Sequence, residues 1–108
     1  MNKGDLVKAK PWTDEDLEPL LKKLYYLNGS KRYQPKEKDY RKGLRVKFRT
    51  ALVGDTILAY VCRADDRPKN LNWLVGWGSP RMPEIAILKG PFGYCIYPEY
   101  LLEVVFSV

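Results

Sequence analysis

A basic tract with interleaved tyrosines runs from Lys31 to Arg49 and is the part of the sequence best suited to binding chemistry. It contains nine lysines and arginines, two acids, and the aromatic residues Tyr33 and Tyr40. Cationic side chains bind phosphates, and exposed tyrosine rings stack on unpaired bases. The tract therefore predicts contact with nucleic acid. The candidate residues are Lys31, Arg32, Tyr33, Lys36, Lys38, Tyr40, Arg41, Lys42, Arg45, Lys47 and Arg49.

Residues 44–50, LRVKFRT, alternate apolar and basic side chains, which predicts a strand with Arg45, Lys47 and Arg49 on one face. Side chains on one strand face repeat about every 6.6 Å, and phosphates of one DNA strand lie about 3.4 Å apart. Three such cations would therefore meet roughly alternate phosphates. The simpler alternative is a solvated strand face that follows a solvated charged loop, residues 30–43.

The residue types needed for common catalytic chemistry are scarce. The chain has no histidine, which removes the commonest general base and the commonest metal ligand. Cys62 and Cys95 are isolated, so we interpret both as buried apolar residues. Asp65 and Asp66 lie in ADDRPKN, whose composition is typical of a turn. We therefore expect a non-enzymatic protein with no metal and no cofactor.

The 108 residues predict one domain, residues 1–108, with a helix and a basic loop inserted at about 11–43. A net charge of +6 favours an acidic partner, either nucleic acid or an acidic protein surface. No apolar run approaches the ~20 residues that span a bilayer, and MNKGDLVKAK has no hydrophobic signal core. We expect a cytoplasmic protein without a membrane partner.

The hydrophobic period changes in residues 13–29, TDEDLEPLLKKLYYLNG, where four leucines recur at helical spacing. These leucines are Leu17, Leu20, Leu21 and Leu24. Proline is tolerated at the first helical position, so Pro19 predicts a helix that begins around Glu18. Four acids precede or begin this helix, and we interpret them as partners of the helix dipole.

A protein-docking subunit, adaptor or inhibitor is the alternative function. It would use the leucine stripe together with an aromatic platform near the C-terminus. The candidate docking residues are Leu17, Leu20, Leu21, Leu24, Trp73, Trp77, Pro98 and Tyr100. Trp73 and Trp77 share a strand face in the predicted strand NWLVGWG, and that face is either core or an exposed platform. Both interpretations remain open from the sequence.

Short apolar segments punctuated by Gly and Pro predict five or six antiparallel strands with one inserted helix. The strand segments are LVKAK, LRVKFRT, TILAYVCRA, NWLVGWG with its resumption EIAIL after the break at SPRMP, and the two halves of YCIYPEYLLEVV. We therefore predict a mainly β fold, a small barrel. The leading and closing segments of the chain support the same architecture.

The opening KGDLVKAK and the closing GYCIYPEYLLEV resemble the first and last strands of the SH3-like barrel superfamily. Trp73 stands roughly where that family places its ligand-stacking tryptophan. The resemblance covers residues 3–10 and 44–105 and implies a barrel that binds peptides, nucleic acids or other proteins. The family's Ala-Leu-Tyr-Asp-Tyr strand is absent, so proline-rich peptide binding is not carried over.

Overall fold

A five-stranded antiparallel sheet and two α-helices form the fold in a computed structural model that describes residues 1–28, 36–75 and 81–108. The regular elements are β1 (Leu6–Ala9), α1 (Asp14–Asn28), α2 (Glu37–Ala51), β2 (Leu58–Arg63), β3 (Ile85–Gly90), β4 (Gly93–Pro98) and β5 (Leu102–Phe106). Short 3₁₀ segments cover Ala64–Asp66, Lys69–Val75 and Glu99–Leu101. Within these ranges, neither helix has the length and apolar character needed to cross a membrane.

The sheet is open, so the prediction of a mainly β, SH3-like barrel is wrong. Its strand order is β4-β3-β2-β1-β5, and β4 and β5 form the two edges. A barrel would need a further ladder to join these edges, and the described strands form none. The two α-helices contribute 15 residues each. The fold is therefore a mixed α/β arrangement.

The strands predicted at LVKAK, TILAYVCRA, EIAIL and the two halves of YCIYPEYLLEVV are confirmed as β1 to β5. The strand predicted for NWLVGWG is wrong over residues 72–75, which belong to the 3₁₀ helix Lys69–Val75, while residues 76–78 lie outside the described residues. Three-residue spacing explains the difference, since Leu71 and Leu74 are both buried while Trp73 between them is exposed. A strand would have placed Trp73 and Val75 on one face.

The helix α1 begins at Asp14, earlier than the predicted start near Glu18. Thr13 precedes the helix, and its backbone N–H donates to Asp16 Oδ2 at 2.8 Å. This cap satisfies a backbone donor at the start of the helix that would otherwise be unpaired, and the Asp16 N–H donates in turn to the Thr13 carbonyl at 3.1 Å. Pro19 therefore lies inside the helix. The cap and the buried leucines together stabilise a helix that contains proline.

The strand predicted for residues 44–50 and the part of the predicted loop at residues 37–43 are also wrong, because Glu37–Ala51 forms α2, while residues 30–35 of that loop lie outside the described residues. Tyr40, Leu44, Phe48 and Ala51 follow helical spacing and form the inward face, with Phe48 fully buried. Lysine, arginine, leucine and glutamate favour helices. Glu37 and Asp39 in the first turn and Arg49 in the last turn suit the helix dipole.

Both helices contribute to a core built around Tyr97 of β4. The Phe48 ring meets the Tyr97 ring edge to face, with centroids 6.2 Å apart. Trp12 Nε1 donates to the Tyr97 hydroxyl at 2.6 Å, which satisfies that buried oxygen. Burial raises the pKa of Tyr97. The helices thus pack on the same sheet face as Tyr97, and strand β3 is buried along Ile85–Leu88.

Asp5 joins the two ends of the chain. Its carboxylate accepts the backbone N–H of Asn2 at 2.9 Å and that of Val108 at 3.0 Å. The side chain is buried, and these two hydrogen bonds lower its pKa from the ordinary value. A carboxylate that is stabilised in the folded state contributes stability that depends on its remaining ionised.

We predict that Asp5→Asn lowers the free energy of unfolding at pH 7. The NH₂ group of the new side chain would replace one carboxylate oxygen and would face the backbone N–H of Asn2 or Val108, which it cannot accept. The Asp5 contribution is fully present above the unfolded pKa of about 3.9 and is lost as the pH falls through the lower folded pKa. Urea unfolding at several pH values should therefore show the difference between wild type and variant shrinking at acidic pH. Asp66→Asn, at an exposed aspartate, is the control. A difference independent of pH would contradict this role.

Candidate functional site

A row of ion pairs joins α1 to α2, which run antiparallel. Arg41 Nη1 donates to Glu18 Oε2 at 2.8 Å, and Arg45 Nη2 donates to Glu18 Oε1. Arg49 Nη2 donates to Asp14 Oδ1 at 2.5 Å. The three arginines lie four residues apart, so they form one stripe along α2. These five residues constitute the ion-pair seam.

The seam engages three of the cations predicted to bind phosphates. Arg41 and Arg45 are half-buried, and the guanidinium of Arg49 also stacks over the Trp12 ring at 4.3 Å from its centroid. The helix turns Lys47 away from Arg45 and Arg49, so the predicted strand face with three aligned cations is wrong. The seam leaves the lysines of the tract for contact with an external phosphate.

Four lysines at α2 are exposed and pair with no carboxylate in the described part of the chain: Lys36, Lys38, Lys42 and Lys47. At 100° per residue, Lys38 and Lys42 lie on one side of the exposed helix face and Lys47 on the other. Lys36 immediately precedes the helix. The ridge between the two sides consists of Asp39, Gly43, Val46 and Thr50. We call these four lysines and the ridge the lysine-flanked face.

Tyr40 of the basic tract does not form part of the lysine-flanked face. Tyr40 is half-buried against the core, and its ring lies 5.5 Å from that of Tyr25 on α1. The predicted contacts Lys31, Arg32 and Tyr33 lie outside the described residues. The described α2 surface therefore offers cations without an aromatic platform.

The leucine stripe predicted as a docking surface is buried. Leu17, Leu21 and Leu24 have no exposed surface, and Leu20 is 4% exposed. All four leucines belong to the core. An amphipathic helix beside a sheet buries its apolar stripe against that sheet, because no other arrangement removes as much apolar area from water. The interpretation of the stripe as a partner surface is wrong.

The docking candidates near the C-terminus differ in how exposed their side chains are. Trp73 is 64% exposed, whereas Pro98 is fully buried. Tyr100 is exposed, and its hydroxyl donates to the Asp16 carbonyl at 2.6 Å. Trp77 lies outside the described residues. Trp73 and Tyr100 thus remain open to a partner, and protein docking through them stays a prediction.

An apolar groove of ≈ 320 Å³ was missed by the sequence analysis. It lies between the β3–β4 turn and the segment that enters β2, and its lining contains no charged residue. The lining residues are Ala51, Thr56, Ile57, Leu58, Gly90, Pro91, Phe92, Gly93, Tyr94 and Cys95. Phe92 at the turn is completely exposed, at 103% of its reference area, and Ile57 is 47% exposed. We call this feature the Phe92 groove.

The turn sequence KGPFG contains the signal for the Phe92 groove. Pro91 and Phe92 are the only residues between the two strands, and Gly93 adopts a φ of 121° that favours glycine. A Cβ at Gly90 would collide with the end of the Leu58 side chain, which would have to shift. An aromatic residue at the tip of so short a turn points away from the sheet. The sequence identifies the turn but not the groove wall opposite it.

Both cysteines are free and half-buried. Desolvation raises the pKa of Cys62 and that of Cys95, so neither thiol is a ready nucleophile at neutral pH. Among the described residues, no three acidic or cysteine side chains converge in a way that would hold a metal ion. Asp65 accepts the backbone N–H of Met82 at 2.6 Å, which gives that turn aspartate a structural contact.

Comparison of this chain with models of known protein families, with curated proteins and with solved structures finds no match. Its function is therefore inferred from the geometry of its own surfaces.

We predict that Glu18→Gln lowers the free energy of unfolding by roughly 1–2 kcal/mol, because Glu18 accepts charge-assisted hydrogen bonds from two half-buried arginines. Glu15→Gln removes an exposed carboxylate from the same helix and is expected to change stability by less than about 0.5 kcal/mol. Urea unfolding of both variants measures the difference. Equal losses would show that the seam adds nothing beyond the helix dipole.

Proposed function

We propose that this protein is a non-enzymatic binding module that contacts duplex DNA through the lysine-flanked face of α2. The observation that carries the proposal is the placement of four lysines without carboxylate partners in the described chain on both sides of one exposed helix face. The net charge of +6 agrees with a polyanionic partner.

The dimensions of α2 suit the major groove. A helix of 15 residues is about 22 Å long, which corresponds to roughly six base pairs. The major groove of B-DNA is about 12 Å wide and admits one α-helix. Lysines on both sides of the helix would then meet the phosphates of both strands. Gly43, Val46 and Thr50 of the ridge between them have short side chains that allow close approach to the bases, whereas Asp39 in the first turn is an acid that nearby phosphates would repel.

Two features favour duplex DNA over other nucleic acids. The major groove of duplex RNA is deep and narrow, so a helix cannot enter it in the same way. Single-strand binders use exposed aromatic rings as stacking platforms. The exposed face of α2 carries no aromatic residue in the described structure, because Tyr40 packs inward.

The ion-pair seam supports this function indirectly. Arg41 and Arg45 hold α2 against Glu18 of α1, which fixes the rotation of α2 about its axis. The same rotation directs Lys38, Lys42 and Lys47 to solvent. Lysine acts as a flexible point charge, so it can bind phosphates without a fixed bidentate geometry. Affinity from such contacts is expected to depend strongly on salt and weakly on base sequence.

We predict salt-dependent binding of labelled duplex DNA, weaker at about 200 mM than at about 50 mM salt. A fourfold neutralised variant, Lys36→Gln/Lys38→Gln/Lys42→Gln/Lys47→Gln, should lose up to about 3.6 units of the log–log salt slope. At four phosphate contacts, wild-type affinity should fall by about 100-fold between the two salt concentrations. Duplex RNA and single strands should bind more weakly.

The matched control, Lys3→Gln/Lys10→Gln/Lys22→Gln/Lys69→Gln, removes the same charge from exposed lysines elsewhere. It should keep most of the salt slope. Equal losses in the two variants would mean that net charge, and not α2, governs the attraction. No binding at low salt would overturn the proposal.

A further inference from the structure

We infer that the Phe92 groove binds a second copy of this chain, in a two-fold dimer in which Phe92 of each copy fills the groove of the other. This inference uses residues outside the lysine-flanked face and stands independently of DNA binding. It assigns a partner to the most exposed aromatic side chain among the described residues.

The shape of the surface is self-complementary. Phe92 projects completely into solvent and also forms part of the lining of the groove, so a protrusion and a hollow lie side by side. A two-fold axis between them places each protrusion over the opposite hollow, since in such an interface every contact occurs twice. A cavity of about 150 Å³ accepts a benzene-sized ring. The groove, at ≈ 320 Å³, is large enough for a phenyl side chain.

The composition of the lining favours a protein surface over a charged ligand. Charged residues make up 30% of the chain, yet none of the ten lining residues is charged. An uncharged contact also avoids the repulsion that two copies with a net charge of +6 would otherwise experience at close range. Ile57 and Phe92 are exposed, and burial of their apolar area would drive association.

The charges beside the groove are complementary under the same two-fold axis. Lys89 lies on the hairpin side, where its ammonium sits 5.4 Å from the centroid of the Tyr94 ring. Asp55 is exposed and immediately precedes in sequence the lining residue Thr56 of the opposite wall, and it also borders a separate hollow beside Trp12. Neither Lys89 nor Asp55 forms an ion pair with the described residues. The axis brings Lys89 of each copy towards Asp55 of the other, which gives two ion pairs per dimer.

Sedimentation equilibrium of the full chain, from about 1 µM to about 1 mM, should show a monomer–dimer equilibrium. Phe92→Ser should weaken dimerisation by at least about 30-fold, because a buried aromatic anchor is lost on both sides of the axis. Trp73→Ser, at an exposed tryptophan outside the groove, should leave dimerisation unchanged. A monomer throughout the range, or equal effects of the two variants, would overturn the inference.

Charge reversal tests the orientation of the two copies. Asp55→Lys and Lys89→Glu should each weaken the dimer, because each places like charges together. The double variant Asp55→Lys/Lys89→Glu restores opposite charges and should recover dimerisation. Recovery supports the two-fold arrangement, and additive weakening overturns it.

The alkylation rate of Cys95 measures dimerisation of the wild-type protein without any substitution. Because Cys95 lines the groove, its alkylation by iodoacetamide should slow as protein concentration rises, while that of Cys62 should not. Equal behaviour of the two thiols would contradict the groove as the interface. The variant with four α2 lysines neutralised should dimerise like wild type, so failure of DNA binding and failure of dimerisation are distinguishable.

Discussion

The pairing of two α1 carboxylates with three α2 arginines determines which chemistry the surface of this protein presents. Glu18 is shared by Arg41 and Arg45, and Asp14 pairs with Arg49. Individually such pairs contribute little to stability, but a row of them specifies the angle and rotation at which two helices meet. With the arginines paired to α1, the lysines of α2 are the cations without carboxylate partners in the described part of the tract. A fold without this seam would present guanidinium groups, and hence different recognition chemistry, on the same sequence.

Residues 44–50 were predicted as a strand because their apolar residues alternate with a period of two, yet the same residues also fit the helical period of 3.6. Leu44 and Phe48 are two members of a strand alternation and also lie one helical turn apart, so a seven-residue window fits both structures. The inward residues Tyr40 and Ala51 extend only the helical series. A window covering 37–51 therefore contains the information that separates the alternatives. The ion-pair seam could not be found in this way, because Glu18 and Arg45 meet only once both helices have packed.

The strands were predictable because each is short, apolar and bounded by turn residues, as in β3 and β4 around Pro91. Whether the strands close into a barrel could not be predicted in this way. Closure depends on pairing between the two edge strands, and the sequence of an edge strand does not specify which strand it pairs with. The segments that resemble SH3-like barrels at the two ends of the chain do form strands. The sheet that contains those strands is open and does not close into a barrel. The same limit applies to the Phe92 groove, whose second wall comes from residues 56–58, more than 30 positions earlier in the chain.

The two proposed surfaces meet on one helix. The solvent face of α2 carries the lysines, and Ala51 at its end lines the Phe92 groove. A two-fold dimer through the groove would repeat the lysine-flanked face on a second α2. Duplex DNA has approximate two-fold symmetry, and paired recognition helices bind successive major grooves about 34 Å apart. Dimerisation would then increase the effective concentration of the second helix at the DNA, and weak individual contacts would yield useful affinity.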